Sequence, residues 1–247
     1  MKVHVIGGGR GIGRAVAAAL ARAGAAVTVI GRTEAPLREA VAAGEAAGCG
    51  VADVTDVVEV KRQVTAAEAA RGPIAILINN AGSVESGPFI KADPSVFRAM
   101  WNVHLMGAVY ATQAVLPGMI ERGFGRIVNV ASTAGLRGYA YISAYCAAKH
   151  ALVGLTRALA AETAARGVTV NAVCPGYTDT ELVRDSIERV AAKTGRAQAD
   201  VLAEYAKDAP IGRLIRPEEV AAAVVYLCSP EAAAVTGTTL AIAGGEM

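Results

Sequence analysis

Residues Lys2–Gly13 read KVHVIGGGRGIG, an apolar run that passes directly into a cluster of glycines. The run Lys2–Ile6 has the composition of a buried strand, and the alanine-rich Ile12–Ala23, closed by Gly24, is typical of a helix. Glycines between a strand and a helix allow a tight turn and the close approach of a pyrophosphate, for which the helix N-terminus offers unpaired N–H donors. The stretch predicts a dinucleotide site at Gly7, Gly9, Arg10, Gly11, Ile12 and Gly13.

Strand-like and helical stretches continue to alternate along the chain. Further strands are predicted at Ala26–Ile30, near Gly50–Ala52, and at Ile74–Ile78, Arg126–Val130, Val168–Cys174 and Thr239–Ile242. Further helices are predicted from about Glu34 to Ala47, from Asp56 to Arg71, and at Pro94–Arg122, Ser143–Ala165 and Pro217–Cys228. This order predicts an α/β fold, a Rossmann-type doubly wound parallel sheet with helices on both faces. With no linker or repeat, we expect residues 1–247 to form a single domain.

The segment Glu181–Leu214 is helical in composition and has no strand of its own. It follows a strand end on the side where ligands bind in such sheets. Two interpretations stay open: a substrate lid, which we favour, and a helical surface insertion.

Composition argues against two classes of partner. Hydrophobic residues make up 53% of the chain and the mean hydropathy is +0.39, but polar residues or glycines interrupt every apolar run before the ~18 residues that a membrane span needs. A net charge of +2, with scattered basic residues, gives no basic face for nucleic acid. We therefore expect neither a membrane nor a nucleic acid as partner.

The four cysteines are widely spaced and form no metal-binding pattern. We expect buried, reduced thiols and no metal site. Because the first predicted strand starts at Lys2, we expect no leader peptide and a cytoplasmic protein.

Tyr145 and Lys149 lie four residues apart, and Ser132 precedes the tyrosine by thirteen positions. Residues at i and i+4 share a helix face, so the phenol and the ammonium would reach the same space. A tyrosine has a pKa of about 10, and a nearby cation lowers it by stabilising the phenolate. Such a phenol can exchange a proton with a carbonyl or alcohol oxygen, which the Ser132 hydroxyl could hold. We expect these three residues to be catalytic.

The end of the second predicted strand bears on the choice of dinucleotide. Gly31 and Arg32 follow Ile30, where an NAD site usually has a carboxylate for the ribose hydroxyls. Arg32 and Arg10 could instead grip a 2′-phosphate through charge-assisted contacts. The sequence favours NADP(H) over NAD(H).

Five motifs in order resemble those of the short-chain dehydrogenase/reductase superfamily of the short, single-domain type, over essentially the whole chain. They are Gly7-x3-Gly11-x-Gly13, Asn79-Asn80-Ala81-Gly82, Asn129-Val130-Ala131-Ser132, Tyr145-x3-Lys149 and Pro175-Gly176. The interval from Ser132 to Tyr145 is also the one expected of the family.

The resemblance implies a role for each matched residue. Tyr145 would be the general acid/base, Lys149 would lower its pKa and hold the nicotinamide ribose, and Ser132 would polarise the substrate oxygen. Further cofactor contacts are implied at Asp53 and Val54 by the adenine, at Asn80, Ala81 and Gly82 on the cofactor floor, and at Thr178 and Thr180, which follow Pro175-Gly176, by the carboxamide. Tyr139, Tyr141 and Ser143 lack the family spacing and are expected to be loop or substrate-wall residues.

The chain departs from the family pattern at three positions. Ile6 occupies the place of a threonine, Ala243 that of an aspartate, and His104 that of an asparagine in an Asn-Leu-x-Gly segment. We expect Gly7–Gly9 to compensate for the threonine hydroxyl. For His104 two interpretations stay open: it supports a proton-relay water near Lys149, since an imidazole can donate and accept, or it is a packed helix histidine without a part in turnover.

By overall resemblance the chain is similar to reductases of 3-oxoacyl thioesters carried on CoA or an acyl carrier protein, including polyketide ketoreductases. We expect an NADP(H)-dependent oxidoreductase that interconverts a ketone and a secondary alcohol. Arg137, Arg184, Arg189 and Arg213 could meet a carrier phosphate, although most are expected to be solvated surface charges. A steroid, sugar or xenobiotic ketone is an alternative substrate, and a catalytically silent NADP(H)-binding sensor or structural protein is the alternative of another class. The resemblance also implies a homotetramer.

Overall fold

A computed structural model describes residues 1–246 of the protein. Its centre is a sheet of seven parallel strands in the order β3-β2-β1-β4-β5-β6-β7. The strands are β1 Lys2–Ile6, β2 Ala26–Gly31, β3 Gly48–Val51, β4 Ile76–Asn79, β5 Gly125–Val130, β6 Val168–Pro175 and β7 Thr239–Ile242. Because strand order reverses between β1 and β4, the sheet is doubly wound, which confirms the predicted Rossmann-type fold.

Helices cover both faces of the sheet. They are α1 Gly11–Arg22, α2 Glu34–Ala42, α3 Val57–Arg71, α4 Pro94–Trp101, α5 Gly107–Glu121, α6 Ser143–Thr163, α7 Glu181–Thr194, α8 Gln198–Lys207 and α9 Pro217–Cys228. One face packs on α1, α2 and α9, and the other on α3, α5 and α6. Every residue of β4, β5 and β6 is buried, which is why these strands read as nearly continuous apolar runs.

Two sequence expectations are wrong at the second helix and the strand after it. The helix ends at Ala42 instead of near Ala47, because Gly44 adopts a left-handed φ of +72° that terminates it. The chain then forms the edge strand β3, whose residues alternate between buried and exposed. The second wrong expectation is that all four cysteines are buried. Cys49 lies on this strand and is exposed, whereas the other three cysteines are buried.

The segment 94–121 is one continuous helix, with α4 and α5 joined by a π-helical turn at Asn102–Met106. It spans 28 residues with a mean hydropathy of 1.3 in its most apolar window, so by length and composition alone it is able to cross a membrane. The expectation that no such run exists is therefore wrong. The apolar residues of α5 instead pack against α3 and the sheet, and 44% of the window is buried. A helix that packs into a protein core passes the same test.

The segment after β6 contains α7 and α8, which pack on each other through Ile187, Ala191 and Val201. Tyr205 of α8 stacks on Tyr177, with ring centroids 4.2 Å apart. The two helices thus form a small unit attached beside the carboxyl end of β6.

Candidate active site

The residues singled out in the sequence gather at one edge of the sheet. The glycine loop follows β1, Asn80–Gly82 follow β4, Ser132 follows β5, and Pro175–Thr180 end and follow β6. Since all strands are parallel, their carboxyl ends meet at this edge, and the crevice between β1 and β4 is the place where such sheets bind ligands.

The glycine loop is locked against the segment after β4. Asn80 Nδ2 donates to the Gly7 carbonyl at 2.8 Å. Gly7 has a left-handed φ of +78°, and a Cβ there would lie 2.7 Å from the Ala81 nitrogen. A Cβ on Gly13 would lie 2.1 Å from the Gly7 oxygen, so both positions require glycine.

The N-terminus of α1 suits an anion. Arg10, the residue before the helix, makes no side-chain cap, so the first N–H groups of α1 lack the partner that a capping residue supplies. These donors and the positive end of the helix dipole lie beside the glycine loop. The residues present therefore fit the pyrophosphate of a dinucleotide.

Both predicted phosphate-binding arginines lie near this loop. Arg10 forms an exposed ion pair with Glu181 at 2.7 Å. Arg32 follows β2, is exposed, and makes no salt bridge within the described chain.

The residues predicted to meet the adenine follow β3. Asp53 accepts from the N–H and hydroxyl of Thr55, and these bonds, with a smaller effect of the Arg32 charge, lower the pKa of Asp53. Val54, the next residue, is buried, and the contact of its backbone with an adenine stays a prediction.

The threonines after Pro175-Gly176 use their hydroxyls locally. Thr178 donates to the Gly176 carbonyl at 3.0 Å, and Thr180 donates to the Thr178 carbonyl at 3.3 Å. They shape the turn into α7, and the contact with a carboxamide stays a prediction.

Ser132, Tyr145 and Lys149 come together as the spacing predicts. Ser132 lies just after β5, while Tyr145 and Lys149 lie one turn apart on α6. The Lys149 Nζ lies 5.6 Å from the Tyr145 ring centroid and donates to the Val130 carbonyl at 2.7 Å. Burial raises the pKa of Tyr145 to about 12, against a smaller lowering from its hydrogen bond with Ser132.

The direction of the Tyr145 pKa shift is opposite to the one expected. Lys149 was expected to lower it, but burial dominates, and burial also lowers the pKa of Lys149 itself to about 7. The Lys149 ammonium is directed at a carbonyl instead of the phenol oxygen. Tyr145 is therefore a neutral phenol in this structure, which is the form that donates a proton.

His104 sits in the π-helical turn and is buried against Tyr145. Its Nε2 lies 2.8 Å from the Ser83 carbonyl, and its ring is edge-on to that of Tyr145 with centroids 5.1 Å apart. Burial, with a smaller effect of the Lys149 charge, lowers the pKa of His104 to about 3. The imidazole is thus neutral, and Nε2 must carry the proton that Ser83 accepts. A π-helical turn is often found at functional sites.

Ile6 and His104, two of the departures from the family pattern, border the same cavity. Asn79, Val54 and Gly107 are among its other lining residues, and its volume is about 10 Å³. The two departures therefore border one cavity, and His104 links it to the Tyr145 ring that it contacts.

The structure adds a polar cluster that the sequence did not reveal. Glu246 is buried, and its Oε1 accepts from Arg137 at 2.8 Å and from the Tyr139 hydroxyl. The Tyr139 hydroxyl also lies 2.8 Å from Thr133 Oγ1, so the cluster reaches the residue after Ser132. The contacts join positions over 100 residues apart, and no local motif marks them.

Two further rim arginines are engaged in ion pairs. Arg184 pairs with Asp179 at 2.8 Å, and Arg213 binds both oxygens of Glu219. Arg189 makes no salt bridge among the described residues. The expectation that most of these arginines are surface charges fits this arrangement.

Within residues 1–246, no group of three or more His, Cys, Asp or Glu side chains is placed to hold a metal ion.

Comparisons with known proteins agree with this geometry. The model of the short chain dehydrogenase family matches residues 1–191. The chain is 41% identical to 2-(S)-hydroxypropyl-CoM dehydrogenase 3 of Xanthobacter autotrophicus, over 98% of this chain and 95% of that protein. It is 39% identical to an acetoacetyl-CoA reductase of Shinella zoogloeoides, over 98% of this chain and 96% of that protein.

A solved structure is similar over the same length. A single-residue variant of actinorhodin polyketide ketoreductase, crystallised with NADPH, superposes with a TM-score of 0.95 at 36% identity, covering 99% of this chain and 96% of that one. The protein therefore belongs to the short-chain dehydrogenase/reductase family, as an oxidoreductase that uses a nicotinamide dinucleotide.

Proposed function

We propose that the protein is an NADP(H)-dependent reductase of 3-oxoacyl thioesters carried on CoA or an acyl carrier protein. The observation that carries the proposal is the meeting of Ser132 with Lys149 and a partly buried, neutral Tyr145 at the ligand-binding edge of the sheet. The acetoacetyl-CoA reductase relative and the polyketide ketoreductase structure support the choice of substrate class.

Each of the three residues Ser132, Tyr145 and Lys149 is proposed to have its own role in the reaction. The dinucleotide, when bound, supplies the hydride for the substrate carbon. Ser132 orients the ketone oxygen, and Tyr145 donates its proton to that oxygen as negative charge develops there. Lys149 is buried one helical turn from the tyrosine and is proposed to contact the ribose of the cofactor.

The preference for NADP(H) rests on charge. Arg10 and Arg32 lie near the ends of β1 and β2, and neither strand end carries a carboxylate of its own. A guanidinium recognises a phosphate by paired hydrogen bonds, so these two residues are proposed to bind the 2′-phosphate. The NADPH in the similar solved structure supports this choice.

The test is the initial rate of NADPH oxidation with acetoacetyl-CoA, compared with NADH. Tyr145→Phe should lower kcat by roughly 100- to 10,000-fold while NADPH binding stays intact, because only the proton donor is lost. Tyr226→Phe, the same change at an exposed tyrosine of α9, is the matched control. No turnover by the wild-type protein, with NADPH still bound, would contradict the substrate class.

A second candidate is the oxidation of a secondary alcohol that is not a thioester. The 41% identity to a 2-(S)-hydroxypropyl-CoM dehydrogenase favours it. Reduction of NADP⁺ or NAD⁺ in the presence of 2-(S)-hydroxypropyl-CoM, set beside 3-hydroxybutyryl-CoA, separates the two candidates. NADPH binding without turnover of any of these compounds would instead support the silent-binder alternative.

Two further parts of the proposal concern the surface of the molecule. The unit formed by α7 and α8 is proposed to be the substrate lid, since it adjoins the turn after β6.

The protein is proposed to be a homotetramer. Apolar surface that could be covered in such an assembly is exposed at Phe89 and Ile90, near α4, and at Trp101 on α4. Sedimentation equilibrium measures the assembly directly.

A further inference from the structure

Arg10 and Glu181 form an ion pair between segments 171 positions apart in the chain. Arg10 Nη1 donates to Glu181 Oε2 at 2.7 Å. Arg10 belongs to the glycine loop and directly precedes α1, whereas Glu181 is the first residue of α7. Both side chains are more than half exposed, so a ligand that arrives from solvent can reach the pair.

The same two segments touch at a second point. A Cβ placed on Gly11 would lie 3.1 Å from Cγ2 of Thr180, the residue before Glu181. The start of α7 therefore lies against the turn that begins α1. The two segments contact each other at Thr180 as well as through the ion pair. The proposed lid meets the dinucleotide loop here.

We propose that Glu181 determines how strongly the protein discriminates NADP(H) from NAD(H), by competing with the 2′-phosphate for Arg10. This inference rests on the proposed function, in which Arg10 and Arg32 bind that phosphate. Glu181 acts against the phosphate in two ways: it occupies one donor of the guanidinium, and it places a negative charge next to the incoming one. An unphosphorylated ribose carries no charge, so it does not compete with Glu181 for Arg10, and its binding should not depend on that carboxylate.

The size of the effect follows from the exposure of the pair. Exposed ion pairs contribute little, so the doubly charged phosphate displaces Glu181 and is not excluded by it. Replacing the carboxylate with an amide should tighten NADPH binding by about three- to five-fold, the factor that a surface ion pair can supply. NADH binding should not change.

The experiment measures dissociation constants for NADPH and NADH by fluorescence titration of the full chain. The variants are Glu181→Gln, Arg10→Gln and the double variant. The matched control is Glu204→Gln, which removes a similarly exposed carboxylate from an ion pair with Arg196 inside the same segment. We expect Glu181→Gln alone to raise the preference for NADPH, and Arg10→Gln to lower the preference and cancel the effect of Glu181→Gln.

Adenosine 2′,5′-bisphosphate and AMP serve as additional probes, because they lack the nicotinamide end that a lid would cover. The gain should persist for the bisphosphate and be absent for AMP. Equal tightening of both dinucleotides by Glu181→Gln would overturn the inference in favour of a general effect of α7. Weaker NADPH binding would overturn it too, since Glu181 would then orient Arg10 for the phosphate.

The failure of the inference is distinguishable from that of the proposed function. If Arg10→Gln weakens NADPH binding but Glu181→Gln changes nothing, only the competition is wrong. If Arg10→Gln leaves the ratio of the two dissociation constants unchanged, the assignment of Arg10 to the phosphate fails, and the competition fails with it.

Discussion

Nδ1 of His104 and Oδ1 of Asn79 belong to two side chains that border the same cavity, and neither atom has a hydrogen-bond partner among the described residues. The neutral imidazole donates from Nε2 to the Ser83 carbonyl, so Nδ1 is an acceptor. Asn79 donates from Nδ2 to Asn129 Oδ1 at 2.8 Å, which fixes its other atom as an acceptor too. Two buried acceptors beside one cavity require a group with two donors.

We expect one ordered water in this cavity, donating a hydrogen bond to each acceptor. The volume of about 10 Å³ matches one water molecule. A crystal structure that resolves ordered solvent should show a single peak within about 2.6–3.2 Å of both atoms. An empty cavity, or a peak near one atom only, would contradict the prediction.

The contact between Gly82 and His104 gives a second prediction. A Cβ on Gly82 would lie 2.7 Å from Cε1 of the imidazole, so Gly82→Ala should destabilise the fold by about 1–3 kcal/mol through overpacking. His104→Ala removes the clashing ring. Urea unfolding of both single variants and the double variant should therefore show that Gly82→Ala costs much less when His104 is alanine. Additive costs would show that the glycine is needed for another reason.

The sequence predicted the fold where local signals are strong. Lys2–Ile6, Pro217–Cys228 and Thr239–Ile242 have the predicted bounds, because strand composition or a proline in the first helical turn marks their limits. The meeting of Ser132, Tyr145 and Lys149 was also predictable, since a helical turn and the ends of neighbouring parallel strands fix it.

Features that depend on tertiary contacts were beyond the sequence. The segment around His104 reads as ordinary helix, and nothing in its propensities indicates the π-helical turn. The burial of Tyr145 reverses the expected sign of its pKa shift, and burial is a property of the packed protein. Glu246 could not be found at all, because its partners Arg137 and Tyr139 lie more than 100 residues away.

The pKa of Tyr145 predicts different pH profiles for the two reaction directions. A pKa of about 12 keeps the phenol protonated from about pH 6 to 9, so Tyr145 itself should cause no change in kcat for ketone reduction over this range. A change near pH 7 would report Lys149, whose pKa is lowered to about 7. Alcohol oxidation needs the phenolate, and its rate should rise about tenfold per pH unit. Steady-state rates in both directions test this. An oxidation rate that levels off below about pH 8 would show that the Tyr145 pKa is lowered in the working complex, as the sequence suggested.

His4 predicts a loss of stability in mild acid. Its imidazole is buried in β1, neither ring nitrogen has a partner among the described residues, and Lys2 and Arg71 are the charged residues beside it. Burial, with a smaller effect of Arg71, lowers its pKa from 6.5 to about 4. The folded protein therefore stays unprotonated at a pH where the unfolded chain takes up a proton, so stability is fully present above pH 6.5 and is lost as the pH falls towards 4.

His104, with its pKa lowered to about 3, acts in the same direction. Between about pH 7.5 and 5, each of the two histidines should lower the free energy of unfolding by about 2 kcal/mol, while most carboxylates stay ionised in both states. His4→Leu should remove about half of this dependence, because it deletes one of the two titrating groups and keeps the site apolar. Urea unfolding of the wild-type protein and the variant at both pH values measures the difference. Equal pH dependence in the two proteins would show that His4 does not titrate differently in the folded and unfolded chains.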